Sequence, residues 1–110
     1  MAKYLVTGGA GFIGCNLARH ILNQGHDVVV LDNFATGKRE NVAAILDRIE
    51  LIEGDIRDRD AVDRAVAGCA AIFHEAALGS VPRSVEDPLT SHDVNVNGTI
   101  TVLELSLIHI

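Results

Sequence analysis

Thr7–Gly14, "TGGAGFIG", is the stretch on which the reading of this chain turns. It follows a short β-rich run, Lys3–Thr7 ("KYLVT"), and leads into apolar residues spaced three and four apart: Ile13, Leu17 and Ile21, with Ala18 and Leu22 one turn offset. Gly25 stops that pattern. The spacing predicts a strand that enters the glycine turn and a helix, Phe12–Asn23, that leaves it. Gly9, Gly11 and Gly14 satisfy GxGxxG, and Gly8, Gly11 and Gly14 satisfy GxxGxxG. Such glycines permit a tight turn, let a phosphate approach the backbone, and let the helix pack close to the strand. Amides at the start of the helix then face an anion, favoured by the helix dipole.

An acid completes the pattern. Asp27–Asp32 ("DVVVLD") is nearly continuous valine and leucine, the composition of a strand covered on both faces. Asp32 stands at its end, 18 residues after Gly14 and close to the ~20 expected of a ribose-binding acid. A carboxylate there accepts from both ribose hydroxyls and repels a 2′-phosphate, so NAD is expected over NADP, with Lys38 weakening the preference. "GDIRD", Gly54–Asp58, is a second strand exit, where Asp55 is placed to accept from an adenine amine and Ile56 to lie against the ring. The alternative for that acid is a helix N-cap.

The rest of the chain keeps the alternation. "RENVAAILDR" reads as a short helix, Ile49–Gly54 as a strand, Arg59–Ala67 as a helix with Ala61, Val62, Ala65 and Val66 on one face, and Ala70–His74 as a strand. Asp87 to about Leu105 reads as a final helix with Val94, Gly98, Thr101, Val102 and Leu105 on a common side. Strands alternating with helices across short connections predict an α/β chain, a Rossmann-type doubly wound parallel sheet, truncated, with strand order 3-2-1-4.

Composition narrows the function classes. The chain has 110 residues, 48% hydrophobic and 22% charged with two prolines, which suits one packed domain or a piece of one. A formal net charge of −6 argues against a nucleic-acid surface, which needs clustered lysine and arginine. Cys15 and Cys69 lack metal-ligand spacing and are expected to be small buried hydrophobes, so no metal site is expected. No apolar run approaches the roughly 18 residues of a membrane span, and the amino-terminal run breaks too early for a signal-peptide core. No membrane partner and a cytoplasmic location are expected.

"TGGAGFIG", "DNFATGKREN", "GDIRD", "FHEAA" and "NVNGT", in this order, resemble the amino-terminal part of an extended short-chain dehydrogenase/reductase of the NAD-dependent sugar-nucleotide epimerase/dehydratase group. The resemblance runs from Lys3 to about Glu104. It implies that Gly8, Gly11, Phe12, Ile13 and Gly14 hold the pyrophosphate side of NAD, and that Asp32, Asn33, Phe34, Thr36 and Gly37 hold the adenosine ribose. It places Asp55 and Ile56 beside adenine, and Ala76, Ala77 and Leu78 along the cofactor towards nicotinamide. His74 is expected to pack at the strand end instead of serving as a base. Asn95 is expected to tie the last helix to a strand or loop backbone, with direct cofactor contact the lesser alternative. The loop "AALGSVPRS" resembles the corresponding segment of 4-epimerases acting on UDP-N-acetylglucosamine, with UDP-glucuronate and UDP-glucose epimerases as near relatives. Gly79 and Ser80 are therefore candidate contacts for the hexose of a UDP-hexose substrate.

The same resemblance implies catalysis by a serine or threonine together with a YxxxK pair placed later in the chain. The sole tyrosine is Tyr4, in the first strand, so no catalytic residue is assigned. The implied reaction is C4 oxidation of a nucleotide sugar to a keto intermediate and its re-reduction. The alternatives are a 4,6-dehydratase, decarboxylase or reductase of the same family, and a noncatalytic NAD-binding sensor module. A homodimer is expected of the full-length form. The closing "SLIHI", residues 106–110, departs from the alanine-rich helix with which the family continues and resembles a translated sequencing-adapter tail. A gene fragment whose native part ends near Leu105, and which is itself inactive, is the expectation.

Overall fold

Side chains alternate between the two faces of a strand, and here each face has its own helical cover. The computed structural model describes residues 2–79 and 81–110, without the side chain of Val81. Its strands are β1 (Lys3–Thr7), β2 (Asp27–Asp32), β3 (Ile49–Glu53) and β4 (Ala71–His74). All pairings are parallel, in the order β3-β2-β1-β4, as the sequence predicts. Leu5, Val29, Leu31 and Ile52 point to one face, where α3 (Arg59–Val66) supplies Ala61, Val62, Ala65 and Val66. Val6, Val28 and Val30 point to the other, where α1 (Phe12–Asn23) supplies Cys15, Ala18, Ile21 and Leu22.

The buried face of α1 keeps Ala18, Ile21 and Leu22 of the predicted set but is turned away from Ile13 and Leu17. Gly14, Cys15, Ala18, Ile21 and Leu22 face the sheet, Leu17 is only partly buried, and Ile13 is 65% exposed. Gly14 leads the contact, lying so close to the glycine turn that a Cβ there would meet the Gly8 oxygen and the Gly9 α-carbon. Between β2 and β3 the chain forms α2 (Arg39–Val42) and a 3₁₀ segment, Ala43–Arg48, whose Val42 and Ile45 are buried.

After β4 a short helix that the pattern does not predict, α4 (Val81–Glu86), precedes the expected one, which runs without a break as α5 (Pro88–His92), a π-helical turn over Asp93–Gly98, and α6 (Thr99–His109). Pro88 begins α5 and Asp87 caps it by accepting from the Thr90 amide, the usual placement of both residue types. Val94, Val102 and Leu105 join the core on the α3 side, as expected, while Thr101 lies nearer solvent. Ser106–His109 continue α6 beyond the point where the pattern predicts the native helix to end.

β4 has one strand neighbour, β1, so among the described residues its outer edge is unpaired. Beside that edge an apolar groove of about 580 Å³ runs under α6, lined by residues that include Ile72, Leu103 and Leu107. No helix among the described residues is long and apolar enough to cross a membrane.

Candidate functional site

The carboxyl ends of all four strands open on one cleft of about 180 Å³. It sits where the chain, having built the sheet outward from β1 to β3, crosses back to β4 on the other side of β1. That reversal leaves a crevice outside the strand ends. Gly8 and Gly11 line it after β1, Asp32, Asn33, Thr36 and Gly37 after β2, Asp55 and Ile56 after β3, and Ala76, Ala77 and Leu78 after β4. Four loops distant in sequence thus meet.

The glycine turn is tight because two of its members lie against backbone. Gly8 has φ +69°, and a Cβ there would lie 2.8 Å from the Ala76 nitrogen. A Cβ on Gly14 would come within 2.3 Å of the Gly8 oxygen. No side chain caps the first turn of α1, whose N-cap is Gly11. Its first amides belong to Phe12, Ile13 and Gly14, which lie outside the lining of the cleft. The 80% exposed Phe12 and 65% exposed Ile13 side chains leave the amides as what these residues can offer an anion.

Asp32 is buried at the end of β2 and already organises the adjoining loops. Its Oδ2 accepts from the Ala10 amide at 2.9 Å and its Oδ1 from the Phe34 amide at 2.7 Å. Each oxygen keeps a further acceptor direction. Gly37 lies against this acid, with room for no Cβ between Ala10 Cβ (2.8 Å) and Asp32 Oδ2 (3.0 Å). Phe34 adopts φ +59°, a strained region for a bulky residue. Its ring lies outside the cleft lining, under the Arg39 guanidinium, 4.2 Å from carbon to centroid.

At the end of β3 the structure adds a residue that the sequence reading passed over. Arg57 donates from Nε and Nη2 to the two oxygens of Asp55, at 2.9 and 2.7 Å, and from Nη1 to Asp93 Oδ2 at 2.8 Å. The Arg57 hydrogen bond is the main reason that the Asp55 carboxyl stays below its ordinary range, against the opposing effect of burial. Ile56 borders the cleft, but its side chain turns into the core and packs on Gly98, where a Cβ would meet Ile56 Cδ1 at 2.5 Å. A broad stacking surface for a ring is therefore not what its side chain presents. The N-cap alternative for the second exit falls to Asp58, which accepts from the Asp60 and Ala61 amides.

The loop after β4 is held by side chains from two other elements. Thr7 Oγ1 accepts from the Glu75 and Ala76 amides at 3.0 and 3.2 Å. Asn95 brackets Leu78, accepting from its amide at 2.7 Å and donating to its carbonyl at 2.9 Å. Asn95 thus ties the π-helical turn to loop backbone, the first of the two roles expected of it. His74 is wired into the strand end, between Thr7 Oγ1 (2.6 Å) and Thr99 Oγ1 (2.9 Å), and burial pushes its pKa down. Gly79 has open space around its α-carbon and does not border the cleft, and Ser80 lies outside the described residues. Glu75, Thr90 and Val94 also border the cleft, although the sequence offers Val94 only as a core residue. Among the described residues no cluster of three or more metal-ligating side chains occurs.

Residues 4–109 match the model of the NAD dependent epimerase/dehydratase family. The chain belongs to that family. A putative UDP-glucose 4-epimerase of Methanocaldococcus jannaschii is 39% identical over 102 residues, which cover 92% of this chain and 32% of that protein. A dTDP-glucose 4,6-dehydratase of Mycobacterium tuberculosis is 41% identical over 105 residues, covering 93% and 32%. The crystal structure of Thermus thermophilus UDP-glucose 4-epimerase in complex with NAD superposes with a TM-score of 0.82 at 42% identity, over 94% of this chain and 33% of that one. The chain therefore spans about a third of the length of the curated relatives it matches. The sheet of this epimerase/dehydratase family chain is the Rossmann-type sheet of its structural relatives.

Proposed function

We propose that residues 1–110 are the amino-terminal part of the NAD-binding domain of a nucleotide-sugar 4-epimerase. The observation that carries the proposal is Asp32: a buried carboxylate beside a glycine turn, with an acceptor direction left on each oxygen after the Ala10 and Phe34 amides are counted. Two vicinal hydroxyls of a ribose match that pair of directions, and a 2′-phosphate would meet a fixed negative charge. The tight approach of Gly14 to Gly8 and the uncapped first turn of α1 suit a pyrophosphate on the amides of Phe12, Ile13 and Gly14, with Gly8 and Gly11 as the wall.

The remaining assignments follow the cleft. Asn33, Phe34, Thr36 and Gly37 flank the ribose, all but Phe34 by lining the cleft near the acid. Asp55, with the backbone of Ile56, borders adenine, and Ala76, Ala77 and Leu78 form the wall towards nicotinamide. Gly79 and Ser80 lead from there to the hexose of a UDP-sugar. Bound NAD supplies reversible oxidation at the sugar C4. This chain's residues bind and orient it; the proton-transferring tyrosine expected of such an enzyme has no counterpart here, so the chain alone binds without turnover. The full-length form is proposed to be a homodimer. A 4,6-dehydratase is the second reading, favoured by the 41% identity to the mycobacterial dehydratase.

Titration of the purified chain with NAD and NADP, with folding verified by circular dichroism, tests the proposal. NAD should bind the tighter, and Asp32→Ala should weaken it and narrow the preference over NADP. Unchanged selectivity would remove Asp32 from the ribose site.

A further inference from the structure

Asp55 spends all its acceptor capacity on two residues. Oδ1 takes the Arg57 amide at 2.8 Å and Arg57 Nε at 2.9 Å, and Oδ2 takes Arg57 Nη2 at 2.7 Å and Asn33 Nδ2 at 3.1 Å. A carboxylate has about four such directions. Three are filled by Arg57, two of them through a charged, planar fork; the fourth is filled by a neutral amide on an exposed loop, at the longest distance of the set. A ligand donor entering the cleft has one place to bind this acid, the direction Asn33 occupies. Arg57 meanwhile is anchored from the other side by Asp93, the first residue of the π-helical turn, and Asp93 is itself braced by Asn97 at 2.8 Å.

We propose that Arg57 is a specificity-determining positioning residue: it fixes the plane of the Asp55 carboxylate so that the one exchangeable acceptor direction meets the 6-amino group of the adenine base. The inference rests on the reading that adenine lies beside Asp55. A carboxylate left unheld would rotate and meet water or base indifferently. Held, it favours a donor at that position and disfavours a base that presents an acceptor there.

The test compares NAD with nicotinamide hypoxanthine dinucleotide, which carries a carbonyl oxygen in place of the amine, by calorimetric titration of the full chain. The unaltered chain should prefer NAD by roughly tenfold or more, the difference one hydrogen bond to a charged acceptor makes. Arg57→Lys keeps the charge and loses the fork; it should reduce the preference to within about twofold while affinity for the hypoxanthine analogue changes little. Asp93→Asn leaves the Asp55 end of Arg57 intact and should retain the preference. Equal weakening of both ligands by Arg57→Lys, with their ratio kept, would make Arg57 a structural tie and overturn the proposal. Absence of a preference in the unaltered chain would instead overturn the placement of adenine at Asp55, and the inference with it. Should Arg57→Lys fail to fold, the unaltered chain still decides: the Arg57 Nε proton should be protected from solvent exchange with NAD bound, and rapid exchange there contradicts the clamp.

Discussion

The Thr7 hydroxyl lies 2.6 Å from His74 Nδ1 and directs the proton of that histidine. Thr7 Oγ1 already accepts from the Glu75 and Ala76 amides, so its one proton goes to Nδ1. His74 is then protonated at Nε2 and donates to Thr99 Oγ1, whose own proton goes to the Asn95 carbonyl. One neutral imidazole thereby joins β1, β4 and the start of α6, directly below the loop that carries Ala76–Leu78.

Thr7→Val preserves the shape of this fully buried side chain and removes the acceptor. The Glu75 amide retains the Thr7 carbonyl at 3.1 Å, whereas the Ala76 amide loses its hydroxyl partner. His74 Nδ1 loses its donor as well, so unfolding in urea should show a loss of at least about 1–3 kcal/mol, the cost of one unpaired group. NAD affinity should fall as well, because Ala76 borders the cleft. A midpoint equal to that of the unaltered chain would mean that the loop holds its position without Thr7.

Acid should loosen the same joint. Burial lowers the His74 pKa below its ordinary 6.5, with the nearby Glu75 charge opposing. The unfolded chain therefore takes up the proton first, and falling pH favours unfolding. The contribution is whole above about pH 6.5 and declines as pH falls through the folded-state value. His74→Asn should reduce the slope of unfolding midpoint against pH between about 7 and 5. A slope that the substitution leaves untouched would assign the acid sensitivity to other groups.

Two glycines should respond unequally to alanine. At Gly14 a Cβ would sit 2.3 Å from the Gly8 oxygen, and the only relief is to move the turn or α1. Gly14→Ala should lower the melting temperature and weaken NAD by tenfold or more, on the order of the 1–3 kcal/mol that overpacking costs. At Gly79 a Cβ meets nothing within 4 Å, so Gly79→Ala should stay within about 0.5 kcal/mol in stability. Paired thermal melts and NAD titrations of the two variants read this difference.

Much of the architecture was legible because local chemistry and chain order demand it. Continuous apolar runs such as Val28–Leu31 require cover on both faces, and short crossovers make the neighbours parallel, so the order β3-β2-β1-β4 followed. The helical segment after β4 was less legible. Asp87 and Pro88 mark a helix start, but the π-helical turn over Asp93–Gly98 depends on Asn95 reaching Leu78 and on Gly98 meeting Ile56, contacts between segments far apart in sequence. Ile13 misled for a related reason: it has the right spacing for the core, and only the close approach of Gly14 to Gly8 turns it outward.

By itself the sequence determined the class of fold, the glycine turn and the acid 18 residues beyond it, since these depend on backbone sterics, burial and order along one chain. The tertiary structure alone decided how the acids are used. Asp32 spends one acceptor direction on its own strand-end loop and one on the glycine turn after β1, and Asp55 is held by Arg57, which reaches Asp93 across 36 residues. A carboxylate's free acceptor directions depend on which donors the folded chain brings within about 3 Å, and no spacing along a sequence records that.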